Sequence, residues 1–370
     1  MKPKVAIVRG KFLNKYEMQY FEPLTQTFDI TAFGSLTPFH DKFTFPVQKL
    51  PSPMDLPNFP YKMPFLNRLF IDAHYLWDLE EKLKGFDLVH TAETYFHYTQ
   101  QCLNAKKKGF VKKVIATVLE NIPFNNEGIW GRKAFKARAR RELDHIIALT
   151  KQAKHALIQE GADEKKITVL GDFVDTKRFR PVLQKPKKQV TVLFVGRLVE
   201  EKGVFDILKA AKLLKNDGVH VQWRFVGEGS AKSEMLRAEK QYGLDAVHTI
   251  STYEDIPEEY QKADIFVAPS KPTATWQEQY GIALLEAQAS GLPIVTTRSG
   301  AIPENVGGAA LLVGPGDVLA LASSLKQFIL NPKIRKEYSA KARKRAIEVH
   351  DIAIGAKKIS RLYQNVLKSI

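Results

Sequence analysis

The chain has 370 residues, 44% hydrophobic and 26% charged, the balance of an ordinary globular protein of two or three domains. Its 56 Lys and Arg outnumber 40 Asp and Glu, a net +16 that points to an anionic partner such as nucleic acid, a membrane surface or a phosphorylated substrate. Cys102 is the only cysteine, which excludes a disulfide framework and a cysteine zinc site; no apolar run approaches ~18 residues, so no transmembrane helix is expected and a cytoplasmic location fits.

The opening MKPKVAIVRG is a short apolar strand with basic flanks, too brief for a signal peptide. Further strands are expected at 28–33, 87–90, 114–119, 146–149 and 167–170. Helical stretches separate several of them, which predicts a parallel α/β sheet. Residues 36–67, rich in Pro and Phe, break the alternation and read as a long irregular insertion.

Residues 1–180 hold 29 Lys and Arg against 20 Asp and Glu, net +9. Residues 101–141 alone hold 11 against Glu120 and Glu127, also +9, so the basic excess of this half sits in one segment. Lys106, Lys107, Lys108, Lys112 and Lys113 form one cluster. Arg132, Lys136 and Arg140 fall at i, i+4 and i+8 of an expected helix, with Phe135 and Leu143 close by. That pattern suits a solvated helix or one resting on an anionic membrane surface.

PVLQKPKKQ at 181–189 combines two prolines with three lysines and reads as a linker. A second α/β series follows, with strands expected at 190–195, 221–226, 265–268, 294–297 and 311–313. After the first comes the loop GRLVEEKG, then a helix with Val204, Ile207, Leu208, Ala211 and Leu214 on one face. Another helix opens near Gly281. Beyond Asn331-Pro332 the chain is strongly helical. The expected division is 1–180, the linker 181–189, 190–350, and a C-terminal helix 351–370 that packs back on the body and returns to the first domain. Its apolar residues Ile352, Ile359, Leu362, Tyr363 and Val366 mostly follow helical spacing.

Two constellations carry chemistry. Gly196-Arg197 and Lys202-Gly203 lie between a strand end and a helix start, where open α/β sheets bind ligands and free helix N–H groups attract anions. Arg197 offers a planar fork to phosphate oxygens. By themselves these two cations read as solvated loop residues. The second is Glu278-Gln-Tyr-Gly-Ile-Ala-Leu-Leu-Glu286. Eight residues of helix span about 12 Å, too far for an acid/base pair on one helix face. A loop glutamate and a helix glutamate can instead grip different parts of an extended ligand, or be plain solvated carboxylates.

The Glu-x7-Glu spacing with Tyr280-Gly281 between, followed by EAQASGLPIVTTRSGAIPENV, resembles the donor-binding core of glycosyltransferase family 4. FVGRLVEEKG, RFVGEGS, ADIFVAPS and AALLVGPGD extend the resemblance over most of 190–320, and HIIALTKQAKHALIQEG and VLGDFVDTKRF carry it into the first half. Residues 1–140 match in outline only.

The resemblance implies the GT-B fold, two Rossmann-like α/β domains facing a central cleft, and transfer of sugar from a nucleotide-sugar with retention of anomeric configuration. It assigns Arg197 and Lys202 to the donor diphosphate, Glu278 to the donor sugar and Glu286 to the ribose hydroxyls. Gly196, Gly281 and Ile282 would approach phosphate by backbone, with Tyr280 beside them. The nucleobase would lie near Gly227–Gly229 and the Thr252-Tyr253 loop, which lacks an expected glycine. Gly10, in Arg9-Gly10-Lys11, could pass close to the diphosphate or form a simple strand-ending turn. Where many relatives carry a histidine in the first domain, this chain has Glu120. It is the fourth catalytic candidate beside Glu278, Arg197 and Lys202.

No Asp-x-Asp motif is present, and two cations already face the diphosphate, so no metal or other cofactor is expected. The acceptor implied is a hydroxyl on a lipid-linked or growing glycan at the inner membrane face, with 101–141 toward that surface. Two other readings are a GT-B sugar-nucleotide epimerase, which would turn over donor without acceptor, and a basic nucleic-acid-binding protein. The second would need a reader motif or aromatic-lined basic strip, and none is seen; no specific nucleic acid is expected.

Overall fold

Strands buried on both faces of a parallel sheet require apolar runs of four to eight residues. The first such run forms β1 (Lys4–Gly10), in which Val5 to Val8 are fully buried. The computed structural model describes residues 1–182 and 189–369 and divides the chain into two units, Met1–Asp172 with Ala353–Ile370, and Phe173–Ile352. Of the linker expected at 181–189, residues 183–188 lie outside the described residues. The units change at Asp172/Phe173, earlier than expected, because the following segment packs into the second unit. Phe179 is buried against Tyr260, with ring centroids 5.7 Å apart, and Arg343 donates to the carbonyls of Thr176 and Phe179 at 3.0 Å each.

In the first unit β1 is joined by β2 (Asp29–Gly34), β3 (Val47–Lys49), β4 (Phe86–Ala92), β5 (Val111–Val118), β6 (His145–Ala148) and β7 (Ile167–Val169). Their order is β3-β2-β1-β4-β5-β6-β7, all parallel. The second unit holds β8 (Thr191–Val195), β9 (Gln222–Val226), β10 (Ala246–Thr249), β11 (Ile265–Ala268), β12 (Ile294–Thr297) and β13 (Ala310–Val313), in the parallel order β10-β9-β8-β11-β12-β13. Each order reverses beside the unit's first strand, between β1 and β4 and between β8 and β11. There the crossover helices diverge to opposite faces and leave a crevice at the carboxyl ends of the strands.

The insertion at 36–67 is less irregular than expected. It contains β3, which extends the sheet beyond β2 through Ala32–Val47 pairing, a single turn at Pro53–Asp55, and the start of a helix, Lys62–Phe70. Strands β3 and β10 escape sequence reading because both are short edge strands with little apolar burial. The C-terminal helix Ile352–Lys368 places all but its first residue in the first unit. Ile359 and Tyr363 are fully buried, and the Tyr363 hydroxyl lies 2.6 Å from His90 Nδ1. Each such apolar side chain contributes about 1.5–3 kcal/mol when fully buried.

Candidate functional site

In the second unit, the crevice between β8 and β11 gathers most of the expected residues. After β8 the chain turns at Gly196 and crosses beside β9. Gly196 N–H donates to the Val226 carbonyl at 3.0 Å, and Gly227 N–H to the Thr249 carbonyl at 3.0 Å. A Cβ on Gly227 would stand 2.0 Å from the Gly196 carbonyl oxygen, so only glycine lets these two strand ends meet. Gly203, at φ +72, is equally constrained: a Cβ there would lie 2.0 Å from the Pro269 carbonyl oxygen after β11. The loop is therefore pinned at both ends while its charged centre faces out.

Lys202 Nζ lies 2.6 Å from Glu278 Oε2 and 4.8 Å from the Trp276 ring centroid. Ser270, just past β11, donates to the same carboxylate oxygen at 2.9 Å. Lys202 and Glu278 are thus brought into direct contact. Arg197 is not part of that contact: its side chain is 61% exposed and 3.6 Å from Glu201. Its guanidinium is available to an anion arriving from solvent.

The helix Ile282–Ala289 opens from Gly281 at φ +83. Its first-turn amides have no preceding carbonyl within the helix to bond, which leaves a partial positive charge at the crevice. Ile282 is half-buried at that end. The Tyr280 side chain turns away from it: it is buried, with its hydroxyl 3.4 Å from His350 Nδ1. Only its backbone stays at the helix start, held by Asn305 Nδ2 donating to the Tyr280 carbonyl at 2.6 Å.

One and a half turns into that helix, Glu286 is 2% exposed. The Tyr260 hydroxyl donates to its Oε2 at 2.6 Å, whereas Oε1 has no hydrogen-bond partner among the described residues. Burial pushes the carboxyl up to about 7, opposed by the Tyr260 hydrogen bond and the positive charge of Arg178. Arg178 stacks on Tyr253, 3.7 Å from the ring centroid, and donates to the Tyr253 carbonyl. Arg178 thus contacts Tyr253 while its charge acts on Glu286, and it lies in the VDTKRF stretch, where sequence reasoning assigned it no role. Tyr260 and Ser270 were missed as well, since nothing in an isolated Tyr or Ser signals a partner distant in sequence.

In the first unit, Gly10 ends β1 at φ +54, and neighbouring Arg9 is buried, donating to the carbonyls of Val8 at 3.1 Å and His90 at 3.2 Å. His90 is a core residue bonded on both ring nitrogens, by Tyr363 and by Thr117 at 2.7 Å, and burial holds its pKa well below the ordinary value. Glu120 stands past β5, buried, with Oε1 accepting from Ile122 N–H at 2.9 Å and Oε2 from Asn125 Nδ2 at 2.8 Å.

Beside it is a carboxylate the sequence did not disclose. Glu93 follows β4 at φ +55, a left-handed conformation uncommon outside glycine. Its Oε1 accepts from Leu119 N–H at 2.7 Å and Glu120 N–H at 3.3 Å, and its Oε2 is buried without a hydrogen-bond partner among the described residues. Burial raises its pKa to about 8; the charge of Glu120 adds to the rise, and the amide hydrogen bonds oppose it.

The basic stripe is corrected. Arg132 and Lys136 are buried and point inward: Arg132 pairs with Asp72 at 2.7 Å, and Lys136 with Glu160 at 2.5 Å. Arg140, 10% exposed, reaches the other Glu160 oxygen at 2.9 Å. A helix face read as outward is a core-facing ion-pair network, because its acidic partners come from elsewhere in the chain. The lysine cluster is largely matched too, by Asp144, Glu80 and Asp87.

Two doubly wound parallel sheets in one chain, the second with its charged loops at the strand-order reversal, define a two-domain α/β protein of the GT-B class. The chain matches an Anabaena HepE structure solved with UDP-glucose at TM-score 0.78 and 15% identity, over 98% of this chain and 99% of that one. The model for glycosyl transferases group 1 matches residues 175–345, and that for glycosyltransferase family 4 matches 31–178. The chain belongs to this glycosyltransferase family.

The amylovoran biosynthesis glycosyltransferase AmsK of Erwinia amylovora is 32% identical over 189 residues, 49% of this chain and 46% of AmsK. The capsular polysaccharide biosynthesis glycosyltransferase CapM of Staphylococcus aureus is 28% identical over 242 residues, 60% of this chain and 62% of CapM. The chain thus spans about half to three-fifths of the length of these curated relatives. Among the described residues, no helix is long and apolar enough to cross a membrane.

Proposed function

We propose that the protein is a retaining glycosyltransferase that moves a sugar from a nucleotide-diphosphate sugar to an acceptor hydroxyl in cell-envelope polysaccharide assembly. The observation that carries this reading is the second unit's crevice, where Lys202 and Glu278 meet before a helix amino end and the same helix carries a buried Glu286 with one oxygen unpartnered among the described residues. A carboxylate with a free acceptor suits the paired hydroxyls of a ribose. The cations and amides suit a diphosphate, and Glu278 suits the hydroxyls of the donor sugar once Lys202 turns to phosphate. The names of AmsK and CapM support the polysaccharide context, and the UDP-glucose of HepE supports a nucleotide-sugar donor.

In this mechanism negative charge grows on the leaving diphosphate, and Arg197, Lys202 and the amides at Gly281–Ile282 stabilise it. A phosphate oxygen takes the proton of the attacking hydroxyl, which approaches from the face the diphosphate leaves, so configuration is retained. The first unit is the acceptor side, with Glu120 as its contact. The acceptor is a lipid-linked or growing glycan. Within 101–141 the exposed cations Lys107 and Lys133, rather than the ion-paired stripe, would meet an anionic membrane face.

A thermal-shift panel with UDP, GDP and ADP and their sugars identifies the donor; a ligand at 100 times its Kd stabilises the fold by about 2.7 kcal/mol. Product NMR then reads the anomeric configuration. Inversion refutes the retaining mechanism, and donor conversion without acceptor selects the epimerase.

A further inference from the structure

A second cavity lies in the first unit, at the β7 edge of the sheet rather than at the reversal between β1 and β4. It has a volume of about 600 Å³ and runs along edge strand β7, between the start of β6 at Asp144–His145 and the C-terminal helix. Cavities of roughly 300–1,000 Å³ are the size that holds small ligands. One wall carries Lys165 and Lys166, and the helix contributes Lys357, Lys358 and Arg361.

Among the described residues the one acid lining it, Asp144, is already engaged by Lys106 at 2.6 Å and by Val114 N–H at 2.8 Å. Lys166 Nζ donates to the carbonyls of Arg141 and Leu143 at 3.3 Å each. No described residue bonds or ion-pairs with the side chains of Lys165, Lys357 or Arg361, and all three are exposed. Between the cations the lining mixes apolar side chains, Val169, Leu170, Ile354, Leu362 and Val366, with the polar His145, Thr168, Asn365 and Ser369. On the helix, Ile354, Leu362 and Val366 alternate with Lys357, Lys358 and Arg361 at three- and four-residue spacing, so one face presents both chemistries.

We infer that this cavity binds an anionic amphiphile, its phosphate held by Lys165, Lys357 and Arg361 and its apolar chain lying along Leu362 and Val366. The charges of Lys165, Lys357 and Arg361, beside a lining acid that is already engaged, call for more than one negative charge, which a phosphomonoester supplies. Charge-assisted bonds from Arg and Lys are the usual means of holding such a group. The apolar lining distinguishes the ligand from free phosphate. This inference is independent of the glycosyltransferase reading, because it uses none of the residues assigned to the donor.

The test is calorimetric titration of the full chain with dihexanoyl phosphatidate below its micelle concentration, with dihexanoyl phosphatidylcholine and inorganic phosphate as parallel arms. Phosphatidate should bind, at least tenfold more tightly than either other compound. The exposed double variant Lys357→Glu/Arg361→Glu should weaken it at least tenfold while thermal stability and donor-nucleotide affinity stay at wild-type values. Leu362→Ser should weaken phosphatidate but leave inorganic phosphate unchanged. Sedimentation with phosphatidate-containing vesicles, against phosphatidylcholine alone, should follow the same order and fall with added salt. Absence of phosphatidate binding, equal affinity for inorganic phosphate, or equal binding by the charge-reversed variant overturns the inference.

Discussion

On the proposed function, Glu286 should couple nucleotide binding to pH and set stability against function. Its carboxyl is raised from 4.5 to about 7 mainly by burial. Between those values the folded protein holds a proton that the unfolded chain has lost, so stability is fully present below pH 4.5 and declines as pH rises to 7. At about 1.36 kcal/mol per unit, this shift makes wild type less stable by roughly 3 kcal/mol at pH 8 than at pH 4.5, as far as this one group is concerned. Glu286→Gln, neutral throughout, should remove that slope and be the more stable protein at pH 8.

The same substitution should weaken nucleotide-sugar binding about 10- to 150-fold, since a charged hydrogen bond contributes roughly 1.5–3 kcal/mol. Ribose hydroxyls donate to the carboxylate, so wild-type affinity should climb by up to about tenfold per pH unit from 5 to 7 and then level. Nucleotide sugars are the right ligand because their diphosphate diester does not titrate there. Calorimetry in buffers of different ionisation enthalpy should show proton release near pH 6 in wild type and none in Glu286→Gln. Equal pH–affinity profiles in the two proteins would refute the reasoning.

Alanine at Arg197 or Lys202 should slow single-turnover transfer at saturating donor more than it lowers the melting temperature; unchanged rates in both remove them from the diphosphate. Glu120→Ala should impair transfer with nucleotide affinity nearly intact, and unaltered kinetics would show that its place in the first unit has no catalytic consequence. For Glu93, raised to about 8, stability should fall as pH rises from 4.5 to 8 by up to about 1.4 kcal/mol per unit. Urea midpoints should show a pH 7–8 slope that Glu93→Gln removes. Lys136→Met breaks a buried pair with Glu160, whose other oxygen still meets Arg140, so a loss on the order of 3 kcal/mol is expected by urea denaturation. A loss below 0.5 kcal/mol would restore Lys136 to the surface.

The strands beside each chain reversal were legible because a buried parallel strand needs an apolar run through its centre, and residues 5–8 of β1, 192–195 of β8 and 265–268 of β11 supply one. So was the family resemblance, carried by the Glu-x7-Glu spacing and by FVGRLVEEKG and RFVGEGS, whose Gly203 and Gly227 meet steric demands that no other residue meets. Edge strands β3 and β10 were not legible, because half-exposed backbone makes no comparable demand on composition. Nor was the direction of a charged helix face. Arg132, Lys136 and Arg140 look the same in sequence whether they meet water or Asp72 and Glu160, and only the tertiary fold brought those acids to them. Glu93 shows the same limit more sharply. Its raised pKa arises from the absence of water and the nearness of Glu120, neither of which is a property of the residue or its sequence neighbours. Local sterics and periodicity are written along the chain, whereas burial and charge pairing exist only after distant segments have met.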